Sequence, residues 1–598
     1  MTETTETNQA DDGGEPERPA KTDAKASNGT ARALRRYGPI VGAVVLVAGA
    51  IAIFGGGGGG DDDDGGAGTE DSSASIDNEE LIRSGPMTPQ KAELEGRDDV
   101  DFGPDCDTDI GRVKLPTVHA AQCVVPFDGD NGGATTPGVT ADEILVVLYV
   151  TDPALDPLGA ALVSGGGADV DPALTDEALQ NYVRLYNEVY ETYGRTVRLE
   201  RFTGTGAADD VEAAKADAIA IADMKPFAVI GGPGQATTPF ATELASRGVV
   251  CGPNCTISEP ESILQENYPY MWGPLATPDQ GAALAAEMVG KLAGPGKAEL
   301  AGDDATRAKD RVYALVHYDT PTGDHQPIFE ALRDALSDQG IDLEIDIPFE
   351  LDLATIQENA RTMIARLEQS GVTTVIFYGD PFTPGPLTSE ATAQDYHPEW
   401  ILGPSVLADS TFFARMMDGE QWKNGFGMSG IPGRGAPDTN SSVHIYEWAF
   451  GAKPPSNTVT VSEPPLRAIF DGIHLAGPEL TPETFRDGLF RYEPTGGGPT
   501  EPAVSWGDHG IWPDTDLGNV DDMTLIWWDP DVSGPDEIDN EGQGMYRYAH
   551  GGERYTLGEI PDSLEAAGLF DVDSSETVYD ELPAEDVPPD YPPPDLPN

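Results

Sequence analysis

Two hydrophobic patterns alternate through the middle of this chain. Continuous apolar runs such as ILVVLYV (144–150) predict strands covered on both faces. Between them, apolar residues recur at helical spacing. The first helical stretch spans 175–193, with Leu179, Tyr182, Val183, Tyr186, Val189, Tyr190 and Tyr193 along one side. VRLERF (197–202) predicts the next strand, and a helix over 209–223 opens at Asp209 and Asp210, acidic residues suited to a helix start. FAVIGG (227–232), a helix over about 238–247 and VVCG (249–252) complete the series. The alternation then repeats. A helix at 279–292 precedes strand VYALVHY (312–318), a helix at about 325–339 and strand DLEIDIPFE (342–350). A helix at 355–369, strand TTVIFYG (373–379) and strand WILGPS (400–405) follow. Alternating strands and helices over this length predict α/β architecture, a parallel sheet with helices on both faces. Two such series predict two similar lobes.

Outside this region the pattern changes. Residues 37–54 (YGPIVGAVVLVAGAIAIF) form an uncharged apolar stretch at the lower limit for a membrane-spanning helix. Arg32, Arg35 and Arg36 precede it, and six glycines and Asp61 to Asp64 follow. The positive-inside rule then places the first 36 residues in the cytoplasm and the C-terminal bulk outside. A cleavable signal peptide is the competing reading; the long n-region favours an uncleaved signal anchor, and no cysteine follows to take a lipid. The expected location is therefore the cell membrane, single-pass. Residues 1–36 read as a disordered polar segment and 55–100 as a Gly/Asp-rich linker. Residues 571–598, ending in DVPPDYPPPDLPN, read as an acidic, proline-rich tail unable to pack a core.

Composition narrows the function classes. The formal net charge of −69 argues against nucleic acid and against a basic patch for anionic lipid. Cys106, Cys123, Cys251 and Cys255 are the four cysteines. Outside the membrane an even count reads as disulfides, here Cys106–Cys123 and Cys251–Cys255, each closing a short loop. A four-cysteine zinc site is the alternative. There is no HExxH, GxSxG or Walker loop, and the eight histidines show no metal-ligand spacing. DPDVSGPDEIDN (529–540) begins like a calcium loop but has Asn540 where a bidentate carboxylate is needed. The expectation is a protein that is not an enzyme and needs no cofactor or metal.

FAVIGGPGQATTPFATELASRGVVCG, YPYMWGPLATPDQGAALAAEMV, VYALVHYDTPTGDHQPIFEALRDALSDQGI and VTTVIFYGDPFTPGPL followed by EWILGPSVL form a collinear series. It resembles the type 1 periplasmic binding-protein fold, in the branched-chain amino-acid receptor family of ABC importers, over roughly residues 139–535. VSWGDHGIW and LIWWDPD look like closing strands of the second lobe. The resemblance implies a first lobe at 139–275 and 427–480 and a second at 276–426 and 481–570, with 101–138 an added, disulfide-closed lead-in. It also implies an extracytoplasmic protein that closes around a small polar molecule (an amino acid, amide or carboxylate) and delivers it to an ABC permease. A surface receptor or interaction module of the same fold without transport is the second reading.

In that fold the ligand sits between the lobes, at strand C-termini and helix N-termini, where backbone N–H groups are unpaired. Gly231 to Thr237, with Gln235, Ala236 and Thr237, form such a place, and Asn254 and Thr256 occupy the loop after the fourth strand. Thr151 and Asp152 follow the first strand. From the second lobe come Tyr318, Asp319, Thr322, Tyr378, Asp380 and Ser405. Two positions depart from the amino-acid receptors: Thr322 stands where they have an aromatic residue. Ser405 stands where they have the carboxylate that pairs with the ligand's ammonium. Asp319 or Asp380 are the substitutes the sequence offers, since a buried ammonium needs an opposite charge. Trp272, Trp506, Trp527 and Trp528 read as packing residues.

Overall fold

The computed structural model describes residues 78–596 apart from 153, 156–171, 209, 257, 320–324, 406, 437–438 and 538–539. The apolar stretch 37–54, the segment 1–36 and Thr322 lie outside the described residues. Among the described residues no helix is long and apolar enough to cross a membrane.

The first lobe is built on a four-stranded sheet of order β2-β1-β3-β4, all parallel, with β1 Glu143–Val150, β2 Thr196–Thr203, β3 Ala228–Ile230 and β4 Val250–Cys251. The central strand β1 is buried along its interior, which is why its sequence is a continuous apolar run rather than an alternation. Helices α3 (Pro172–Val189), α4 (Val211–Met224) and α5 (Thr237–Ser246) cross between these strands; the short α1 (Asn78–Ser84) and α2 (Pro89–Leu94) precede them. Asp210 caps α4 by accepting from Ala213 N at 3.0 Å, the start the acidic pair predicts.

The second lobe carries an eight-stranded sheet of order β11-β10-β9-β8-β7-β5-β6, with β12 also paired to β10. Its parallel part comprises β5 (Tyr313–Tyr318), β6 (Leu343–Phe349), β7 (Thr374–Tyr378), β8 (Glu399–Leu402) and β9 (Phe426–Ser429). The antiparallel extension is β10 (Met523–Pro535), β11 (Glu541–Tyr548) and β12 (Arg554–Tyr555). Helices α6 (Pro278–Met288), α7 (Gln326–Asp338), α8 (Ile356–Gln369) and α9 (Pro384–Ala393) cover it. Alternation along β5 sends Tyr313 and Leu315 into one core and Ala314, Val316 and Tyr318 into another, so both faces are buried.

Three corrections to the sequence reading concern the lobe boundaries. Strand β9 belongs to the second sheet, although 427 was the expected return to the first lobe. After it come α10 (Ser441–Phe450), α11 (Val459–Ala476) and α12 (Pro482–Arg491). Phe485, Leu489, Tyr492 and Trp506 all pack in the first-lobe core, so 481–506 is first-lobe rather than second, whereas Ile511 and Trp512 pack on the second-lobe core and Leu517 returns to the first. VSWGDHGIW is accordingly not a second-lobe strand: Val504 forms only isolated bridges, to Thr495 and Val520. The chain passes between lobes at 273–277, 430–436 and 517–522. Gly273 N donates to Leu517 O at 2.9 Å and Asn519 N to Leu275 O at 3.3 Å. Buried Arg554 donates to Asp522 (2.7 Å) and to the carbonyls of Gly430 and Ile431 (3.1 Å each), while Asp522 accepts from Ala503 N at 3.0 Å.

Both disulfides form, Cys106–Cys123 and Cys251–Cys255. The end of the expected linker is ordered onto the first lobe. Leu81 of α1 is buried, and Arg491 donates to Leu81 O (2.8 Å), Leu475 O (3.0 Å) and Ser84 Oγ (3.2 Å), satisfying carbonyls that helix ends leave open.

The acidic tail also packs, contrary to its composition. Tyr548 N donates to Glu576 O at 2.7 Å, and Tyr579, buried in a second-lobe core, donates through N to Arg434 O at 2.8 Å. Asp586 accepts from Thr500 N (2.7 Å) and Oγ1 (2.8 Å). Trp448 Nε1 then donates to Tyr591 O (2.8 Å), Tyr591 OH to Asp107 (3.0 Å), and Leu596 rests on the first-lobe core. Composition misleads here because prolines spaced between aromatic residues leave extended chain that lies well against a surface. Deleting residues from 571 onward should lower the unfolding free energy by about 2 kcal/mol or more, chiefly through loss of the buried Tyr579, read as a lower urea midpoint.

Candidate functional site

Parallel sheets open at their strand C-termini, because successive crossover helices diverge there and leave a crevice. In the second lobe this crevice holds a cavity of about 120 Å³. Its floor is the ends of β5 and β7, with Tyr318, Tyr378 and Asp380, and the loop after β8, with Pro404 and Ser405. The first turns of α6 and α7 supply Pro278, Gly281, His325 and Phe329 as walls. Leu275, Ile431 and Val520 from the three interlobe passages close one side, and Ser258 reaches it from the first lobe. The site therefore lies at the lobe-facing end of the second lobe, beside the segments that join the two lobes.

Local interactions fix these walls. Thr277 and Gln280 cap α6 reciprocally (Gln280 N to Thr277 Oγ1 3.2 Å, Thr277 N to Gln280 Oε1 2.7 Å), and Gln280 Nε2 donates to Asp516 at 2.7 Å. This anchors α6 to a passage between lobes. Tyr378 OH donates to Pro278 O at 3.3 Å, and its ring meets Phe329 edge-on at 5.3 Å. A Cβ at Gly281 would lie 2.7 Å from Tyr378 Oη, so glycine there leaves room for the phenol.

The polar groups are few and mostly engaged. Ser405 Oγ accepts from Gly379 N at 3.0 Å. Asp380 accepts from Phe382 N (2.7 Å), Thr383 N (2.9 Å) and Thr383 Oγ1 (2.7 Å). Burial raises its pKa, against those hydrogen bonds. Asp409 also lines the cavity and is only 5% exposed. Its Oδ2 accepts from Ser429 Oγ at 2.6 Å, while Oδ1 has no hydrogen-bond partner among the described residues. Burial pushes its carboxyl up to about 7, against the Ser429 bond and the backbone N–H groups of Asp409 and Leu407, and with a small addition from Glu537. Asp409 was missed in the sequence, where LADSTF reads as helix-start chemistry; Ser410 is indeed the cap of the turn at Thr411–Ala414. Only the fold brings Asp409 to Ser429, twenty residues on. Among the described residues no group of three or more His, Cys, Asp or Glu side chains is placed to hold a metal ion.

Of the residues singled out in the sequence, Tyr318, Tyr378, Asp380 and Ser405 meet at this cavity. Asp319 is held by its N–H to Phe349 O at 2.9 Å and is not among the lining residues. The first-lobe set does not line it, and much of that set serves its own lobe. Asn254 Oδ1 accepts from Gly231 N at 2.7 Å. Gly231 has φ +75°, and a Cβ there would sit 2.4 Å from Tyr149 O; only glycine allows the loop so close to β1. Thr237 Oγ1 donates to Glu259 at 3.2 Å, and fully buried Thr256 donates to Trp272 O at 3.1 Å. Ala236 is in the first-lobe core, and Gln235 lies in the turn Gly234–Ala236. Asp152 accepts from Ala154 N at 2.9 Å, a local turn, and Thr151 is half-buried beside it. Trp272, Trp506, Trp527 and Trp528 are all buried, in packing positions.

No protein-family model and no curated protein sequence matches this chain. It is similar to solved structures of low identity. One is an ABC-transporter solute-binding protein of R. palustris in complex with 4-hydroxybenzoate (13% identity, 70% of this chain and 98% of that one, TM-score 0.46). Another is a fatty acid ABC transporter substrate-binding protein from Thermomonospora curvata (14%, 72% and 96%, TM-score 0.46). A third is the branched-chain amino acid transporter substrate-binding protein LivJ from Streptococcus pneumoniae in complex with isoleucine (12%, 69% and 100%, TM-score 0.43). All three neighbours are solute- or substrate-binding proteins of transporters, the first two of ABC transporters.

Proposed function

We propose that this chain is an extracytoplasmic solute-binding protein that captures a small molecule between its two lobes and delivers it to an ABC importer. The observation that carries this reading is the cavity at the strand C-termini, bounded by all three interlobe passages. A ligand there touches the residues about which the lobes rotate, so its binding energy differs between open and closed arrangements and shifts their populations. The two disulfides support an oxidising compartment. Anchoring through residues 37–54 belongs to this proposal; mass spectrometry of the mature N-terminus separates an anchor from a cleaved signal.

A thermal-shift panel of amino acids, amides, amines, carboxylates and hydroxybenzoates tests the site. A ligand held only by the folded protein at about 100 times its Kd adds about 2.7 kcal/mol of stability. The expected result is a shift that disappears in Ile431→Trp, which fills the cavity. No shift from any compound, with the protein folded, would sink the reading. A receptor without a transport role would show the same shift but no ligand-dependent association with a permease.

A further inference from the structure

Two aspartates stand at the interlobe passage 517–522. Asp516 is 3% exposed and Asp521 fully buried, and their carboxyl groups lie within hydrogen-bonding reach of each other. The donors around them are unevenly shared. Asp516 Oδ1 accepts from Gln280 Nε2 (2.7 Å), at the start of α6, and from Gly518 N (2.8 Å). Asp521 accepts from Ser505 Oγ (2.7 Å) and Trp512 Nε1 (3.2 Å), and its own N–H donates to Ala503 O (3.0 Å). Oδ2 of Asp516 has no donor among the described residues.

Two carboxylates that meet in a buried site repel each other, and neither keeps the water that would screen them. One proton between them turns that repulsion into a hydrogen bond from acid to carboxylate, a short and strong kind. The other charged and titratable groups facing the pair supply no alternative. Asp522 adds repulsion at Asp521, and Arg554, the base beside it, is taken by Asp522 itself at 2.7 Å. His509 faces Asp521, but burial lowers its pKa, against Asp521, Asp508 and Glu493, which keeps the imidazole uncharged at neutral pH. Burial and the neighbouring Asp521 charge accordingly hold Asp516 well above the usual carboxylate range. Its Oδ2, lacking a donor, is the atom to carry the proton.

The pair's partners come from both lobes. Gln280 belongs to α6 and Trp512 packs on the second-lobe core, whereas Ser505 adjoins Trp506 of the first-lobe core. We propose that Asp516 and Asp521 share a single proton that fastens the junction of the two lobes, and that losing this proton as pH rises frees the lobes to turn. The device goes beyond ligand capture and does not depend on which molecule the cavity holds. Once the junction opens, the two carboxyls part, meet water and return towards their ordinary titration near 4. A junction that holds a proton its opened form releases is favoured on the acid side and weakened as pH rises through the pair's titration.

Infrared spectra of the full-length protein at successive pH values, paired with amide hydrogen exchange at Gly273 and Asn519, test this. Those two N–H groups bond across the passages, to Leu517 O and Leu275 O. A protonated-carboxyl band should remain at about pH 8.5, where ordinary carboxyls and those raised only to about 7 are ionised. The band should be absent from Asp516→Asn, and also from Asp521→Asn, which removes the charge that holds the proton. At the pH where the band disappears from the parent, protection at Gly273 and Asn519, corrected for intrinsic exchange, should fall about 10-fold. It should stay level in Asp516→Asn, whose amide donates to Asp521 as the acid does. A band that is the same in parent and Asp516→Asn would overturn the shared proton, and one that survives in Asp521→Asn would show that burial alone holds it. Protection that does not change across that pH, or that falls equally in Asp516→Asn, would overturn the fastening role, as would a band persisting to about pH 10. Should a variant fail to fold, the parent decides: band and protection lost at one pH support the proposal, and losses at different pH values overturn it.

Discussion

Replacing Arg467 by methionine should destabilise the protein by about 3 to 5 kcal/mol, the cost of stranding a buried charge. Arg467 lies on α11 between Glu463 and Asp471, one turn away on either side, and all three are buried in the first-lobe core. Its Nε donates to Glu463 at 3.0 Å and its Nη1 to His119 O at 3.1 Å. Glu463 also accepts from Ser442 Oγ at 2.7 Å and from Tyr186 OH. Burial alone would lower the guanidinium pKa, but the carboxylates of Glu463 and Asp471 hold it well above the ordinary value. Methionine fills the space of the stem and leaves Glu463 fully buried without its counter-ion. Pairing Arg467→Met with Glu463→Gln should restore most of the loss, because the amide can keep Tyr186 and Ser442 as partners without a net charge. Urea midpoints of the two variants check this; a single variant within about 1 kcal/mol of the parent would mean the pair is solvated.

The second large effect is on pH: stability should rise as pH falls from 7.5 to 5.5. Asp409 and Asp471 are both pushed up to about 7 by burial, Asp471 with Arg467 opposing. In the unfolded chain each titrates near 4. Between those values the folded state holds protons that the unfolded state has lost, so each group adds stability on acidification and withdraws it as pH rises towards 7. His474 runs the other way. Burial holds its pKa down to about 4, so the unfolded state takes up its proton first and stability falls below about pH 6.5. With Glu261, partly exposed but also raised to about 7 by burial, three carboxyls against one histidine leave a net gain of roughly 3 to 4 kcal/mol over this interval. The large surface charge acts in the same direction, since protonation relieves self-repulsion. Urea titrations at the two pH values measure the slope. Asp471→Asn should flatten it by about half, and a midpoint that instead rises towards pH 7.5 would refute the assignment.

The sheets were legible because their physics is local. ILVVLYV must be covered on both faces wherever it lies, and Asp210 caps its helix through a bond to a residue three positions on. What failed to show in the sequence depends on partners far along the chain. Residues 481–506 share their apolar spacing with second-lobe helices, and only packing of Phe485 and Trp506 on the first core assigns them. The tail reads by composition as unable to pack a core, yet a few residues, Tyr579, Asp586 and Tyr591, find partners 28 to 484 positions away. The same holds at the cavity. Tyr318, Tyr378, Asp380 and Ser405 announce themselves by ending strands, whereas Asp409 is a cavity wall only because β9 lies beside β8.

The tail's route gives the two lobes a fourth link, different in kind from the other three. Three passages are covalent and can only bend, whereas the strip from Glu576 to Leu596 is held by separable contacts, first to one lobe, then to the passages, then to the other lobe. A rotation larger than its slack must peel it from one end. In the opening motion proposed above the strip would be a latch, and amide hydrogen exchange at Thr500 and the indole signal of Trp448 would gauge its release.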